Sequence, residues 1–314
     1  MMSNATISFK TIYLETNQGH GNARRKSLSE CSNELVALMD ADDISLSERF
    51  QRQLDLFLRN PSLDICGGHI TEFVGDESNI IGRREVKLTD ALIKKDLKKR
   101  CPMNQVSVMF KKFAYDEAGG YADFYCEEDY YLWTRMIQNK AVFANVDEDI
   151  VNVRTGEGMS LRRGGMKYFK SERDMQRFLL KNKLISFPRY LYNVGLRFGG
   201  EVLLPNSLRN KLFKIVRKDV SDDKNIKTDK EIKTVEIDSV KDYPPFSVSM
   251  CVYGKDNPEW FDKALESVIV NQTVKPSEVV LVVDGPIPES IEDVIQKYSE
   301  ICAGGGYNIP HYKI

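Results

Sequence analysis

Residues 9–14, FKTIYL, alternate apolar and polar side chains with the two-residue period of a short strand. A glycine-punctuated loop, NQGHGN, follows, and the segment up to Cys31 reads as a helix. Residues 34–40, ELVALMD, are a nearly continuous apolar run, the pattern of a strand covered on both faces in a parallel sheet. That run breaks off in Asp40-Ala41-Asp42-Asp43. Next, SLSERFQRQLDLFLRN sets Leu46, Phe50, Leu54, Phe57 and Leu58 on one helical face, with Ser45 and Glu48 spaced as a capping box. Further strands are expected over 63–74, VSVMFKK and 141–153. Helices are expected from a Thr89 cap to about Arg100 and over CEEDYYLWTRMIQNK. Strands alternating with helices predict an α/β fold with a largely parallel sheet.

The pattern changes near residue 161. From Leu161 to Lys218 the chain carries 15 Lys/Arg against 3 Asp/Glu, about +12, in helical runs rich in aromatics. Residues 218–242 are polar, mixed in charge and poor in aromatics, the composition of a flexible linker. Beyond it the α/β pattern resumes. A strand at 246–253 precedes a helix from about Pro258 to Asn271, then EVVLVVDG precedes a helix at 289–300. The closing CAGGGYNIPHYKI reads as a loop and a short strand.

Composition narrows the classes. The 314 residues carry a formal net charge of −1, which gives no case for nucleic acid. Six scattered cysteines without a CxxC pair, and only three histidines, argue against a zinc site and against a disulfide framework. The start of the sequence lacks a charged region leading into a long apolar one, and no stretch approaches the roughly 20 apolar residues of a spanning helix. A cytoplasmic protein is expected, peripheral on the inner face of the plasma membrane if its basic region binds lipid.

The chemistry lies in the carboxylates. Anions packed at the C-terminal end of a buried strand repel one another and raise one another's pKa, so such a cluster usually holds a cation. Mg²⁺ takes oxygen ligands of this kind and bridges to substrate phosphates. Decoration of a helix start is the plainer alternative. Glu127-Glu128-Asp129 has the same two readings, as dipole partners of a helix or as a general base for an attacking hydroxyl. The loop NQGHGNARR, with Arg24 and Arg25, is either a phosphate cradle or a turn before a helix; it lacks P-loop spacing. Asp284 in VVDGP ends another buried strand, where an Asp-Gly pair is usually a turn.

These pieces together resemble the family-2 glycosyltransferases of the GT-A fold, of the bacterial capsule, exopolysaccharide and lipopolysaccharide type. FSVSMCVYGKDNPEWFDKALESVIVNQT, VVLVVDGP, the stretch from NQGHG through DADDISLSERFQRQ, AGGYADFYCEEDYYLWTRM and VNVRTGEGMSLRRGG carry the likeness. It implies a Rossmann-like, mostly parallel sheet flanked by helices, and a hexosyltransferase activity. It implies that Cys251, Val252, Tyr253 and Asp284 contact the uracil and ribose of a UDP-sugar, with Arg24 near the nucleotide. The DxD-type aspartates are matched by Asp40, Asp42 and Asp43, with Asp42 and Asp40 on Mn²⁺ or Mg²⁺. Glu128-Asp129 match the ED pair, Asp129 as base. Arg154 through Ser160 resemble the segment that closes over the diphosphate. Donor and acceptor are then a nucleotide-sugar and a saccharide or lipid-linked acceptor, and inversion is expected.

The order of these motifs departs from the family, which begins with the FSVSMCVYG-type strand. Here that strand follows the linker. A circular permutation is one explanation, in which 245–314, the nucleotide-binding first part, completes a sheet begun by 1–160, the metal and acceptor side. A linker of about 25 residues reaches roughly 25–30 Å as a coil. A tandem origin is the other, with HYKI and FKTIY as two copies of one strand. Exchange of the C-terminal part in a swapped homodimer is a third arrangement. The helical region 161–217 is either a solvated face or, over 161–218, a contact for an anionic membrane surface. The segment 218–244 is the linker. Two other functions compete: a non-catalytic remnant that keeps the fold, and a metal-dependent nucleotidyltransferase.

Overall fold

Among the described residues a ten-stranded sheet organises the fold, and its strands come from both the first and the last parts of the sequence. The computed structural model describes residues 6–156, 165–203, 242–304 and 312–313. The strands are β1 (Ser8–Leu14), β2 (Leu35–Asp40), β3 (Ile44–Ser45), β4 (Ile65–Phe73), β5 (Ile80–Arg84), β6 (Met109–Lys111), β7 (Phe143–Arg154), β8 (Phe246–Val252), β9 (Glu278–Asp284) and β10 (Tyr312–Lys313). Their spatial order is β10-β1-β9-β8-β2-β6-β4-β7-β3, with β5 beside β4.

The strands that follow residue 242, β8 and β9, therefore sit in the middle of the sheet. β9 pairs in parallel with β1, from Ser8 opposite Glu278 to Leu14 opposite Asp284. β8 pairs in parallel with β2, from Leu35 opposite Phe246 to Asp40 opposite Cys251. Both inserted strands are almost wholly buried, as the unbroken apolar runs FSVSMCV and EVVLVVD require of strands covered on two faces. The terminal strand β10 adds in parallel to β1, with Ile12 opposite Tyr312. The sheet is parallel from β10 to β2 and mixed beyond, because β6 runs antiparallel to both β2 and β4.

Helices cover both faces. On one face α2 (Arg49–Arg59), α8 (Pro258–Ile269) and α9 (Glu289–Cys302) bury Phe50, Leu54, Phe261, Leu265, Ile291 and Tyr298 against the strands. Phe50 from the first part and Phe246 from the last meet at 4.9 Å between ring centres. The other face carries α1 (His20–Glu30), α4 (Lys112–Glu117) and α5 (Glu128–Gln138), with Trp133 and Tyr121 fully buried. A smaller cluster joins α3 (Asp90–Leu97) and α5 to α6 (Gly165–Lys181), through Leu97, Tyr130, Met175 and Leu179. Helix α7 (Phe187–Phe198) follows, ending in a wide turn at 199–203.

Several local expectations are corrected. The Ser45/Glu48 capping box does not form. Ser45 lies in β3, its N–H donating to Ser267 Oγ at 3.0 Å, and α2 starts only at Arg49 with no side-chain cap. Tertiary pairing to β7 and α8 takes Ser45 away from the helix. Thr89 occupies the cap position of α3 but its side chain makes no capping bond. Leu58 is exposed, and the buried face of α2 includes Arg49 and Gln53 instead. Expectations for 157–164, most of the linker and the 204–218 tail lie outside the described residues. Among the described residues, no helix is long and apolar enough to cross a membrane.

Candidate functional site

The ends of three parallel strands meet at Asp40, Cys251 and Asp284. Register alone brings them together, because β2, β8 and β9 run the same way and Asp40 lies opposite Cys251. Ligands of open α/β sheets bind outside such C-terminal strand ends. Asp284, the last residue of β9, binds the loop before α1 through both carboxylate oxygens. The N–H of Gln18 donates to one at 2.7 Å, and the N–H of Gly19 to the other at 3.0 Å. The NQGHGN loop thus spends these two N–H groups on a protein carboxylate. Gly285 permits the approach: its φ is +86°, and a Cβ there would lie 2.7 Å from the Asn17 nitrogen.

That loop aims α1 across the strand ends. Ser27 Oγ donates to the Val280 carbonyl at 2.9 Å and accepts from Ser249 Oγ at 2.8 Å, which seats the helix on β8 and β9. One turn earlier, Arg24 is buried at 4% exposure and donates through Nη2 to Asp40 Oδ1 at 2.6 Å. Its guanidinium stands 5.6 Å from the centre of the Tyr121 ring. Burial opposes its charge, but Asp40, Tyr121, Cys251 and Glu128 outweigh that and raise its pKa. Its Nη1 is buried without a hydrogen-bond partner.

The Asp40–Asp43 cluster is divided by its surroundings. Asp42 is exposed, whereas Asp43 is 2% exposed and accepts the Arg154 N–H at 2.8 Å. Burial, then Asp42 and Asp40, push the Asp43 carboxyl well above the usual range. The Arg154 guanidinium donates to the carbonyls of Asp42 at 3.1 Å and Gly75 at 2.8 Å. It lies 4.5 Å from both the Phe73 and Trp260 rings, so it ties β7 to the inserted α8.

Two members of this neighbourhood escaped the sequence reading. Asp256 follows β8 in the loop YGKDN and accepts the Tyr253 N–H at 3.0 Å. Burial, then Asp42 and Asp40, raise its pKa to about 6. Its position five residues past the conspicuous Cys251 was the available signal. Arg49 is fully buried and donates to the Leu38 carbonyl at 2.7 Å and to Gln53 Oε1 at 3.2 Å. Burial lowers its pKa to about 10, opposed by Cys66, Asp43 and Asp40. A polar pair at i and i+4 within an apolar helix face was its signal.

A sequence from Haemophilus influenzae, an uncharacterized glycosyltransferase, is 34% identical over 207 residues, 66% of this chain and 76% of that relative. The chain belongs to glycosyl transferase family 2. The family's signature matches residues 3–117. An Escherichia coli UDP-Gal:alpha-D-GlcNAc-diphosphoundecaprenol beta-1,3-galactosyltransferase is 32% identical over 213 residues, 67% of this chain and 76% of the relative. The amylovoran biosynthesis glycosyltransferase AmsE of Erwinia amylovora is 34% identical over 178 residues, 57% and 66%. The protein is accordingly a glycosyltransferase, and its sheet is that of the GT-A fold.

On this glycosyltransferase the second acidic cluster opens α5. Burial raises Glu128's pKa, Asp129 and Asp40 add to it, and Arg24 opposes it, so Glu128 shares the electrostatic field of the Arg24–Asp40 pair. Asp129 accepts its neighbour Tyr130 N–H at 2.6 Å and the Cys101 thiol at 3.4 Å. Glu127 is buried beneath them. Burial, Glu172 and Asp129 raise its pKa well above the usual range, with Arg197 opposing. Of the other expected contacts, Val252 is buried, Tyr253 is 40% exposed at the rim, and burial pushes the Cys251 thiol up to about 12.

Proposed function

We propose that the enzyme moves a sugar from a UDP-sugar to a hydroxyl of a saccharide or lipid-linked acceptor in bacterial surface-polysaccharide synthesis, inverting the anomeric carbon. One observation carries this reading: the buried guanidinium of Arg24 on Asp40, with Nη1 unpartnered, between the strand ends and Glu128. A buried donor without a partner is costly unless a ligand supplies the acceptor. A diphosphate oxygen is such an acceptor, and Arg is suited to phosphate. The relatives support the donor and acceptor classes, one being named for UDP-Gal and a diphosphoundecaprenol acceptor and another for amylovoran biosynthesis.

In this reading the loop after β8, with Cys251, Val252 and Tyr253, takes the uracil and ribose. Asp284 holds the Gln18–Gly19 loop against that pocket and shares in nucleoside binding. Asp40 and Asp43 line the diphosphate side, and Arg154 fixes the 42–43 turn from behind.

A divalent cation fits the donor set in part. Among the described residues no three His, Cys, Asp or Glu side chains converge on one point. Mg²⁺ and its like, however, usually take one or two carboxylates and complete their shell from water and substrate phosphates. Asp42 and Asp40 would hold Mn²⁺ or Mg²⁺ in that way. When bound, the ion supplies Lewis-acid stabilisation of charge on the departing UDP.

Asp129, with Glu128 beside it, accepts the proton of the acceptor hydroxyl as that oxygen attacks the anomeric carbon. With one base and no enzyme nucleophile, a single displacement inverts the configuration. Residues 1–160 and 245–314 act as one catalytic domain joined by the 218–244 linker. Folding within one chain is proposed over exchange between two, because β8 and β9 fill the gap between β1 and β2. Contact of the basic helical region with an anionic membrane belongs to the same reading.

Incubation with a panel of UDP-sugars and a short saccharide acceptor tests the proposal. Release of UDP with a β product from an α donor is expected. UMP as product would replace it with attack at phosphorus, and no turnover by a folded sample would favour a non-catalytic fold.

A further inference from the structure

Arg24 and Arg25 are neighbours in the sequence, and α1 sends them to different places. Arg24 is buried on Asp40, whereas Arg25 is exposed on the outer side of the helix. Ser29, one turn further on, lies on the same side as Arg25. Both line a cavity of about 240 Å³ between α1, α4 and the turn after α4. Lys112, Tyr115 and Asp116 form its α4 wall, and the pair Gly119-Gly120 closes it.

This cavity is rich in donors that the fold does not use. Among the described residues the Arg25 side chain has no hydrogen bond or ion pair. Tyr115 is 4% exposed, and its hydroxyl accepts the Tyr121 N–H at 3.0 Å. Among the described residues no group takes the Tyr115 proton in return. Lys112 donates to Asp116 at 2.9 Å, and Asp116 is the one carboxylate among the lining residues. Gly119 and Gly120 have φ of +76° and +62°, so the turn closes without placing a side chain in the cavity. Behind it Arg135 donates to the carbonyls of Ala118 and Gly120, both at 2.6 Å. A Cβ at Gly119 would lie 3.3 Å from Arg135 Nη1, which puts that guanidinium directly against the turn. Arg25 acts on both neighbours. Burial raises the pKa of Tyr115, and the Tyr121 N–H and Arg25 oppose it. Burial lowers the pKa of Arg135, and Arg25 lowers it further. Three cations thus gather around one carboxylate, two of them repelling each other, beside a hydroxyl with a proton to give. A bound anion would relieve that repulsion.

We infer that this cavity is a second ligand site, which binds a phosphate group through Arg25, Lys112 and the Tyr115 hydroxyl. Guanidinium and hydroxyl donors of this kind match phosphate oxygens. The volume lies below the roughly 300–1,000 Å³ of clefts for drug-sized ligands, so the site suits free phosphate or the phosphate of a single sugar rather than a nucleotide-sugar. It is distinct from the strand-end cluster, which holds Arg24 and Asp40.

Calorimetric titration of inorganic phosphate and of glucose 1-phosphate into the full chain tests the site. Saturable binding of at least one, with Kd at or below about 1 mM, is expected. Arg25→Gln and Lys112→Gln should each weaken it at least about tenfold, with an unchanged circular dichroism spectrum. Excess UDP should leave phosphate binding in place. Tighter binding of glucose 1-phosphate assigns the rest of the cavity to a sugar, and equal or weaker binding assigns the site to free phosphate; both support it. The inference is overturned if the folded protein binds neither compound, or if Arg25→Gln binds as the parent does. Displacement by UDP would equally overturn it, by putting the phosphate in the strand-end cluster.

Discussion

The carboxylates of Asp40–Asp43 end a strand, and those of Glu127–Asp129 begin a helix. Both clusters are buried in part, and both contain a carboxyl whose pKa is raised first by burial and then by its neighbours. Their supports differ. The strand-end cluster draws Arg24 from α1, Arg49 from α2 and Arg154 from β7, and meets Asp256 from the inserted segment. The helix-start cluster rests on Glu172 and Arg197, from the basic helical region. Equal composition at two places thus acquires different chemistry from what the chain packs against it. The first cluster sits among three arginines and the second beside one.

The largest expected effect separates the two clusters directly. Asp129→Asn should lower transfer about 10²- to 10⁴-fold while UDP affinity stays within a factor of about two. Initial rates and calorimetry on one preparation check this, and retained transfer would remove the base role. Arg24→Met should do the reverse in binding, weakening UDP at least tenfold. It should also cost about 3–5 kcal/mol of stability, because it leaves Asp40 without its buried partner. Urea denaturation measures that cost, and an unchanged midpoint would contradict the buried pairing.

Asp256 gives a smaller, pH-dependent effect. Its folded pKa of about 6 lies above its ordinary 3.8, so the folded protein binds that proton more tightly than the unfolded chain. Its contribution is present below about pH 4 and is lost as the pH rises through about 6. Without added metal, Asp256→Asn should therefore gain about 1–2 kcal/mol at pH 8, allowing for its partial exposure, and nothing at pH 3.5. A gain that is the same at both pH values would place the effect elsewhere. Smallest of all, Leu196→Ser should alter stability by less than about 0.5 kcal/mol, since its side chain is 62% exposed. A loss above 2 kcal/mol would mean that the α7 face is already covered.

Apolar runs made most of the sheet legible. ELVALMD, FSVSMCV and EVVLVVD read as doubly covered strands and are β2, β8 and β9. The short strands β3 and β5 were not legible, since two residues of Ile44–Ser45 and the exposed IIGRR pair only because β7 and β4 lie beside them. The antiparallel direction of β6 was hidden for the same reason: direction is a property of the connection, not of the run. In the site, aspartates at strand ends stood out because buried strands rarely end in three acids. Asp256 and Arg49 did not, because one sits in an ordinary-looking loop and the other on an apolar helix face. The meaning of Asp256 arises only when the last seventy or so residues dock beside Asp40 and Asp42, and that of Arg49 when α2 packs over β2.

In the proposed function the strand-end cluster, completed by β8 and β9, binds UDP with a divalent cation. Isothermal titration of UDP into the folded protein, with and without Mn²⁺, tests it most directly. Saturable binding that requires Mn²⁺ and disappears in Asp42→Ala, but persists in Asp129→Asn, is the predicted result. No heat of binding from a folded sample in the presence of Mn²⁺, or equal loss in both variants, would contradict it.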